Sequence, residues 1–131
     1  MSTHHRIGLA FALALTVVDT AYAAPLPTRV GACSTTRIDQ IGTRLVDGTT
    51  NAPVPDSGSA VTFVNGGYQV SYDVLPAITH SRPGDAVRVC LVSIPHSCPP
   101  GDNRGRVYRT RNLRTGGVWE LPDSEHMCGG A

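Results

Sequence analysis

The chain reads as an all-β protein, a small antiparallel barrel or sandwich of five to seven strands stapled by disulfides. Three observations carry that expectation. Short β-branched and aromatic segments recur with turn residues every eight to twelve positions. Two alternating runs flank Asn65-Gly66, a strong short-range hairpin signal. Four cysteines, Cys33, Cys90, Cys98 and Cys128, all lie beyond an export-type N-terminus. At 131 residues the chain has room for one domain, and 40% apolar with 16% charged residues suits a folded one.

The N-terminus is expected to be a signal peptide over residues 1–23. Arg6 precedes Ile7 to Val18, twelve residues without a charge, shorter than the ~20 needed to span a bilayer. Ala21 and Ala23 supply small residues for cleavage after Ala23. Val30 to Cys33 resembles a lipidation motif, but Asp19, Pro25, Pro27 and Arg29 separate it from the apolar run, and lipidation would leave an odd cysteine. The division expected is therefore signal peptide, flexible Pro-bearing lead-in over 24–32, and a single β-domain over 33–131.

Along that domain, Thr35 to Val46 has its apolar residues at helical spacing. Thr35, Thr36, Gly42 and Thr43 are nevertheless poor helix formers, so a strand with a bulge near Gly42 is expected. Residues 47–58 form a turn-rich loop. A two-residue turn at Asn65-Gly66 pairs Phe63 with Tyr68, Val61 with Val70, Thr62 with Gln69 and Ala60 with Ser71, which sorts apolar from polar side chains. Ala86 to Ile94, opened by Pro83-Gly84-Asp85 and closed by Pro95, reads as a strand buried on both faces. Arg106 to Asn112 and Val118 to Leu121 form a second hairpin. Pairing Leu113 with Val118 sets Arg111 opposite Glu120, with Tyr108, Trp119 and Leu121 on the other face. No helix longer than a turn is expected.

An even cysteine count in an exported chain predicts two disulfides. The Pro-rich turn between Cys90 and Cys98 favours joining those two, which leaves Cys33 with Cys128 to tie the domain ends. His96-Ser97-Cys98 and His126-Met127-Cys128 repeat a His-x-Cys spacing, but no closed zinc pattern appears, and neither a metal nor a cofactor is expected.

Several runs together resemble a group of small exported bacterial proteins of unknown function. They are Ile41 to Leu45, Tyr68 to Asp73, Arg82 to Asp85, Cys90 to Pro95 with Cys98 to Asp102, Asn112 to Gly116, and Pro122 to Ser124 with His126 and Cys128. The resemblance covers nearly the whole domain from Cys33 onward. It implies export and carries no activity.

All 11 basic residues are Arg, which excludes Schiff-base and lysine-nucleophile chemistry. A net charge of +1 gives no global preference for nucleic acid or membrane. A hydrolase would draw on His80 with Ser81, Asp73 and Asp85, yet adjacent residues point apart and no nucleophile-elbow motif occurs. Glu120, Asp123 and Glu125 offer acid and base for glycoside cleavage, or simply counter-charges for neighbouring arginines. The most local signal is basic: Arg104, Arg106, Arg109, Arg111 and Arg114 fall within eleven residues. Guanidinium forks suit carboxylate, sulfate and phosphate. The expectation is a non-catalytic binding protein of the periplasm or exterior, whose partner is an acidic glycan, a lipid headgroup or a protein. An enzyme inhibitor using the Pro-rich 94–102 loop, and a small hydrolase, are the alternatives.

Overall fold

A computed structural model describes Met1 and residues 23–130. The expected signal peptide lies outside the described residues apart from its two end positions. The strands are β1 (Cys33–Thr43), β2 (Ser59–Phe63), β3 (Tyr68–Ser71), β4 (Ala86–Ser93), β5 (Val107–Asn112) and β6 (Val118–Pro122). One helical turn, α1 (Pro76–Thr79), sits between β3 and β4. They form one sheet in the order β3-β2-β1-β4-β5-β6, antiparallel throughout and curled into a half-barrel. The all-β expectation therefore holds, in the barrel-like form. Among the described residues no helix is long and apolar enough to cross a membrane.

β1 explains the curl. Its first half, Cys33 to Arg37, pairs with β4, while Ile38 to Thr43 pairs with β2. The register slips between Ile38 and Gln40, so Asp39 is the extra residue and the strand turns its corner there. The expected bulge at Gly42 is thus displaced by three positions. Its site is set by where β1 passes from one neighbour to the other, not by the glycine.

The concave side holds the core: Ile38, Val61, Phe63, Val87, Val89, Leu91, Tyr108 and Trp119, with Ile78 of α1 plugging the hollow. Leu26 packs against this cluster, Pro27 is buried, and the Ala24 amide bonds to the Thr35 carbonyl, so the lead-in is laid along the sheet. β4 alternates, with Val87, Val89 and Leu91 inward and Arg88 and Val92 outward. The expected two-sided burial fails because the sheet is a single layer, covered only on its concave face.

The first hairpin is where expected, but its register is one residue off. Gly66 takes φ +86°, its amide bonds to the Phe63 carbonyl, and Phe63 N–H bonds to Gly67. The loop is therefore the three residues Val64-Asn65-Gly66, a turn ending in a left-handed glycine bulge. Val61 consequently faces Gln69, and Ala60 faces Val70.

That slip turns Gln69 into the core, 1% exposed. Its Nε2 donates to the carbonyls of Tyr108 (2.7 Å) and Leu121 (3.1 Å). Its Oε1 accepts from Thr110 Oγ1 (2.6 Å) and Trp119 Nε1 (2.9 Å). The amide's two donors and two acceptor positions are all used. One side chain of edge strand β3 thereby ties itself to β5 and to the opposite edge, β6.

The second hairpin also forms, with its loop at Leu113 to Gly116, closed by the Asn112 amide on the Gly117 carbonyl. Arg109, not Arg111, stands opposite Glu120. The shift is an even number of positions, so the expected faces survive: Tyr108 and Trp119 inward, Arg109 and Arg111 outward.

The disulfide pairing is a correction. The bonds are Cys33–Cys90 and Cys98–Cys128, not Cys90–Cys98 and Cys33–Cys128. Cys90 lies within β4 directly opposite Cys33 of β1, with Cα atoms 4.0 Å apart, whereas Cys98 lies beyond the strand end on the connection to β5. Strand adjacency, a non-local property, decides the partner. Cys98–Cys128 then binds that connection to the C-terminal segment, helped by Cys128 N–H on the Arg104 carbonyl.

Candidate anion-binding face

The registers place outward side chains in rows that run across the convex face. One row is Cys33, Cys90, Arg109 and Glu120; the next is Thr35, Arg88, Arg111 and Val118. Each follows from strand parity, because alternate residues of β1, β4 and β5 are committed to the core. Arg88 and Arg111 are direct cross-strand partners. Like charges on directly opposite residues repel and cost stability.

Among the described residues neither Arg88 nor Arg111 meets a carboxylate. Arg109 reaches Glu120 at 3.4 Å through an exposed pair that contributes little. Arg88, Arg109, Arg111 and Cys90 line a shallow depression of about 240 Å³. Arg37, exposed on β1 next to Thr35, donates to the Gly84 carbonyl at 2.9 Å. The face therefore carries three guanidiniums around one hollow, with a single acid at its rim.

The five arginines expected to act together are divided by the structure. Arg109 and Arg111 lie on this face. Arg114 instead grips Asp85 through two bonds of 2.6 and 2.9 Å and also donates to the His80 carbonyl. Asp85 is 5% exposed and further accepts from Asn112 Nδ2 and the Arg82 amide. The Arg114 guanidinium, then Asn112 and the Arg82 amide, hold the Asp85 carboxyl well below the usual carboxylate range despite its burial. Arg104 is clamped by both oxygens of Asp102, at 2.9 and 2.8 Å. Asp102 is likewise lowered, first by Arg104 and next by the Gly129 N–H. Arg106 is half-buried, with its Nε enclosed and unpartnered. Arg104 and Arg114 are thus tied to carboxylates of the fold, and Arg106 is partly withdrawn from the surface.

Arg88 was missed because its membership depends on β4 lying beside β5. The signal for it was the lone charge in an otherwise apolar strand.

Of the hydrolase candidates, Ser81 and Asp85 are engaged elsewhere, while Asp73 is exposed and borders a cleft with Leu75, Trp119 and Glu120. Ser81 Oγ donates to the Ala77 carbonyl and accepts from Asn112, and Asp85 belongs to Arg114, so neither serves the exposed His80. Asp123 accepts the Gly105 amide, Glu125 pairs with Arg44 at 3.4 Å, and Glu120 flanks Arg109. All four cysteines are in disulfides, so the His-x-Cys pairs present no thiolates. Among the described residues no group of metal-ligating side chains is assembled.

The chain matches no protein-family model, no curated protein and no solved structure.

Proposed function

We propose that this protein is an exported binding domain that takes a carboxylated or sulfated glycan on its convex face, through Arg88, Arg109 and Arg111. The observation that carries the reading is the Arg88 and Arg111 pair, placed side by side and, among the described residues, without a counter-charge. A cross-strand repulsion costs stability, so a site that keeps it has a use for the charge. A carboxylate or sulfate between the two forks converts the repulsion into two charge-assisted contacts. The two disulfides fit an oxidising compartment, and the charge-free run before Ala23 supports export. The rigid sheet lowers the ordering cost of binding, since the arginines stand on strands and not on a loop.

Retention on a heparin column tests the proposal. The wild-type domain is expected to elute above physiological salt, and the Arg88→Gln/Arg111→Gln variant well before it. Equal elution of the two proteins overturns the reading.

A further inference from the structure

The same hollow that gathers three guanidiniums also exposes a disulfide. Cys33 is exposed and Cys90 lines the depression beside Arg88, Arg109 and Arg111. We propose that Cys33–Cys90 is a thiol-exchange site for small anionic thiols, molecules that bear a carboxylate or sulfonate beside the sulfur. The inference rests on the anion-binding reading of this face and adds a reaction to it.

Two features of the placement matter. Exchange requires a thiolate to approach a sulfur, and Cys33 is open to solvent at the edge of the hollow. It also requires the displaced sulfur to leave as a thiolate, and that sulfur is Cys90, among the cations that stabilise a negative charge. A thiol with an additional anionic group gains twice, since the arginines concentrate it and orient it. The hollow, at about 240 Å³, has room for a small molecule.

The step balances without a further reactant. The incoming thiolate sulfur bonds to Cys33 Sγ, the Cys33–Cys90 bond breaks, and its electron pair goes to Cys90 Sγ. The product is a mixed disulfide on Cys33 and a thiolate at Cys90. A second equivalent of the same thiol, attacking the mixed disulfide, releases the oxidised small molecule and leaves both cysteines reduced.

The molecule contains its own control. Cys98–Cys128 lies beside Asp102, whose carboxylate accepts the Gly129 amide and clamps the neighbouring Arg104, so the Arg104 charge beside this bond is already paired. An anionic thiol is expected to discriminate between the two bonds.

The test measures mixed-disulfide formation at each bond by peptide mass spectrometry after acid quench. The probes are 2-mercaptoethanesulfonate, 2-mercaptoethanol and cysteamine, with rates corrected for thiolate fraction. At Cys33–Cys90 the sulfonate is expected to react about five- to tenfold faster than the neutral thiol, the Coulomb attraction of two exposed charges at this range, and cysteamine slowest. That order is expected to vanish at 1 M salt, in the Arg88→Gln/Arg111→Gln variant, and at Cys98–Cys128. The same order at both bonds, or no charge dependence at Cys33–Cys90, overturns the proposal. Heparin retention of the same samples separates the two claims: retention with no thiol selectivity defeats the exchange site alone, and loss of both defeats the anion face as well.

Discussion

Replacing Gln69 by leucine removes the amide that joins the two edges of the half-barrel while keeping a side chain of similar size. Trp119 Nε1 and Thr110 Oγ1, on residues 4% and 0% exposed, then lose their acceptor at a buried position. Each buried donor left unpaired costs ~1–3 kcal/mol. The carbonyls of Tyr108 and Leu121 lie on paired strands and so lose less. Leucine returns ~1 kcal/mol or more through its apolar burial. The net loss expected is ~2–4 kcal/mol, a large share of the ~5–15 kcal/mol available to a domain. Urea unfolding followed by fluorescence of Trp119, the only tryptophan in the chain, reads both the stability and the local environment. Gln69→Glu is expected to fare worse at neutral pH, because a carboxylate would face two carbonyl oxygens, and to recover partly as the acid protonates. A loss under ~1 kcal/mol for Gln69→Leu, with Trp119 emission unchanged, would refute the claim that this amide closes the sheet.

Asp85 and Asp102 have folded-state pKa values held below those of the unfolded chain, so the stability they supply is present above ~pH 4 and is lost as pH falls toward the lowered values. Acid unfolding of Asp85→Asn is expected to show a lower plateau and a shallower acid limb than wild type, read by circular dichroism. Cys33→Ser/Cys90→Ser removes a cross-link with a sequence separation of 57 and is expected to cost ~4 kcal/mol in the chain-entropy estimate, measured by denaturant midpoint. Gly58, at φ +120°, has no room for a β-carbon, which would strike the Ser71 carbonyl oxygen, so Gly58→Ala is expected to lose ~2 kcal/mol or more in the same assay. Arg88→Gln/Arg111→Gln is expected to gain up to ~0.5 kcal/mol at low salt by relieving a like-charge pair, a gain that fades in high salt.

Much of the fold was legible because strand patterns are local. The parity of β5 and β6 put Arg109 and Arg111 outward correctly even though the loop fell one residue earlier than expected. Asn65-Gly66 marks the first hairpin, but its dipeptide signal points to a two-residue turn where Gly66 makes a bulge. A two-residue turn would sort polar from apolar side chains. Gln69 defeats that sorting: it is polar and inward, since β5 and β6 present donors and acceptors that only their closeness to β3 reveals.

The site was half-legible for the same reason. A count of arginines along one segment grouped Arg104 and Arg114 with Arg109 and Arg111, though Asp102 and Asp85 claim the first two. Neither Arg88 nor the Cys33–Cys90 bond was visible until β1, β4 and β5 lay side by side.

Arg88, Arg109 and Arg111 are proposed to form one anion-binding face. Titration of the 15N-labelled domain with a defined sulfated oligosaccharide, repeated across a salt series, tests it most directly. Amide shift changes are expected to concentrate on the outward residues of β4 and β5. Affinity is expected to fall with salt, and Arg88→Gln/Arg111→Gln to bind at least tenfold more weakly with a smaller salt slope, in line with the loss of two charge-assisted contacts. Shifts centred on Arg104 and the 94–106 connection, or equal affinity of variant and wild type, would contradict it.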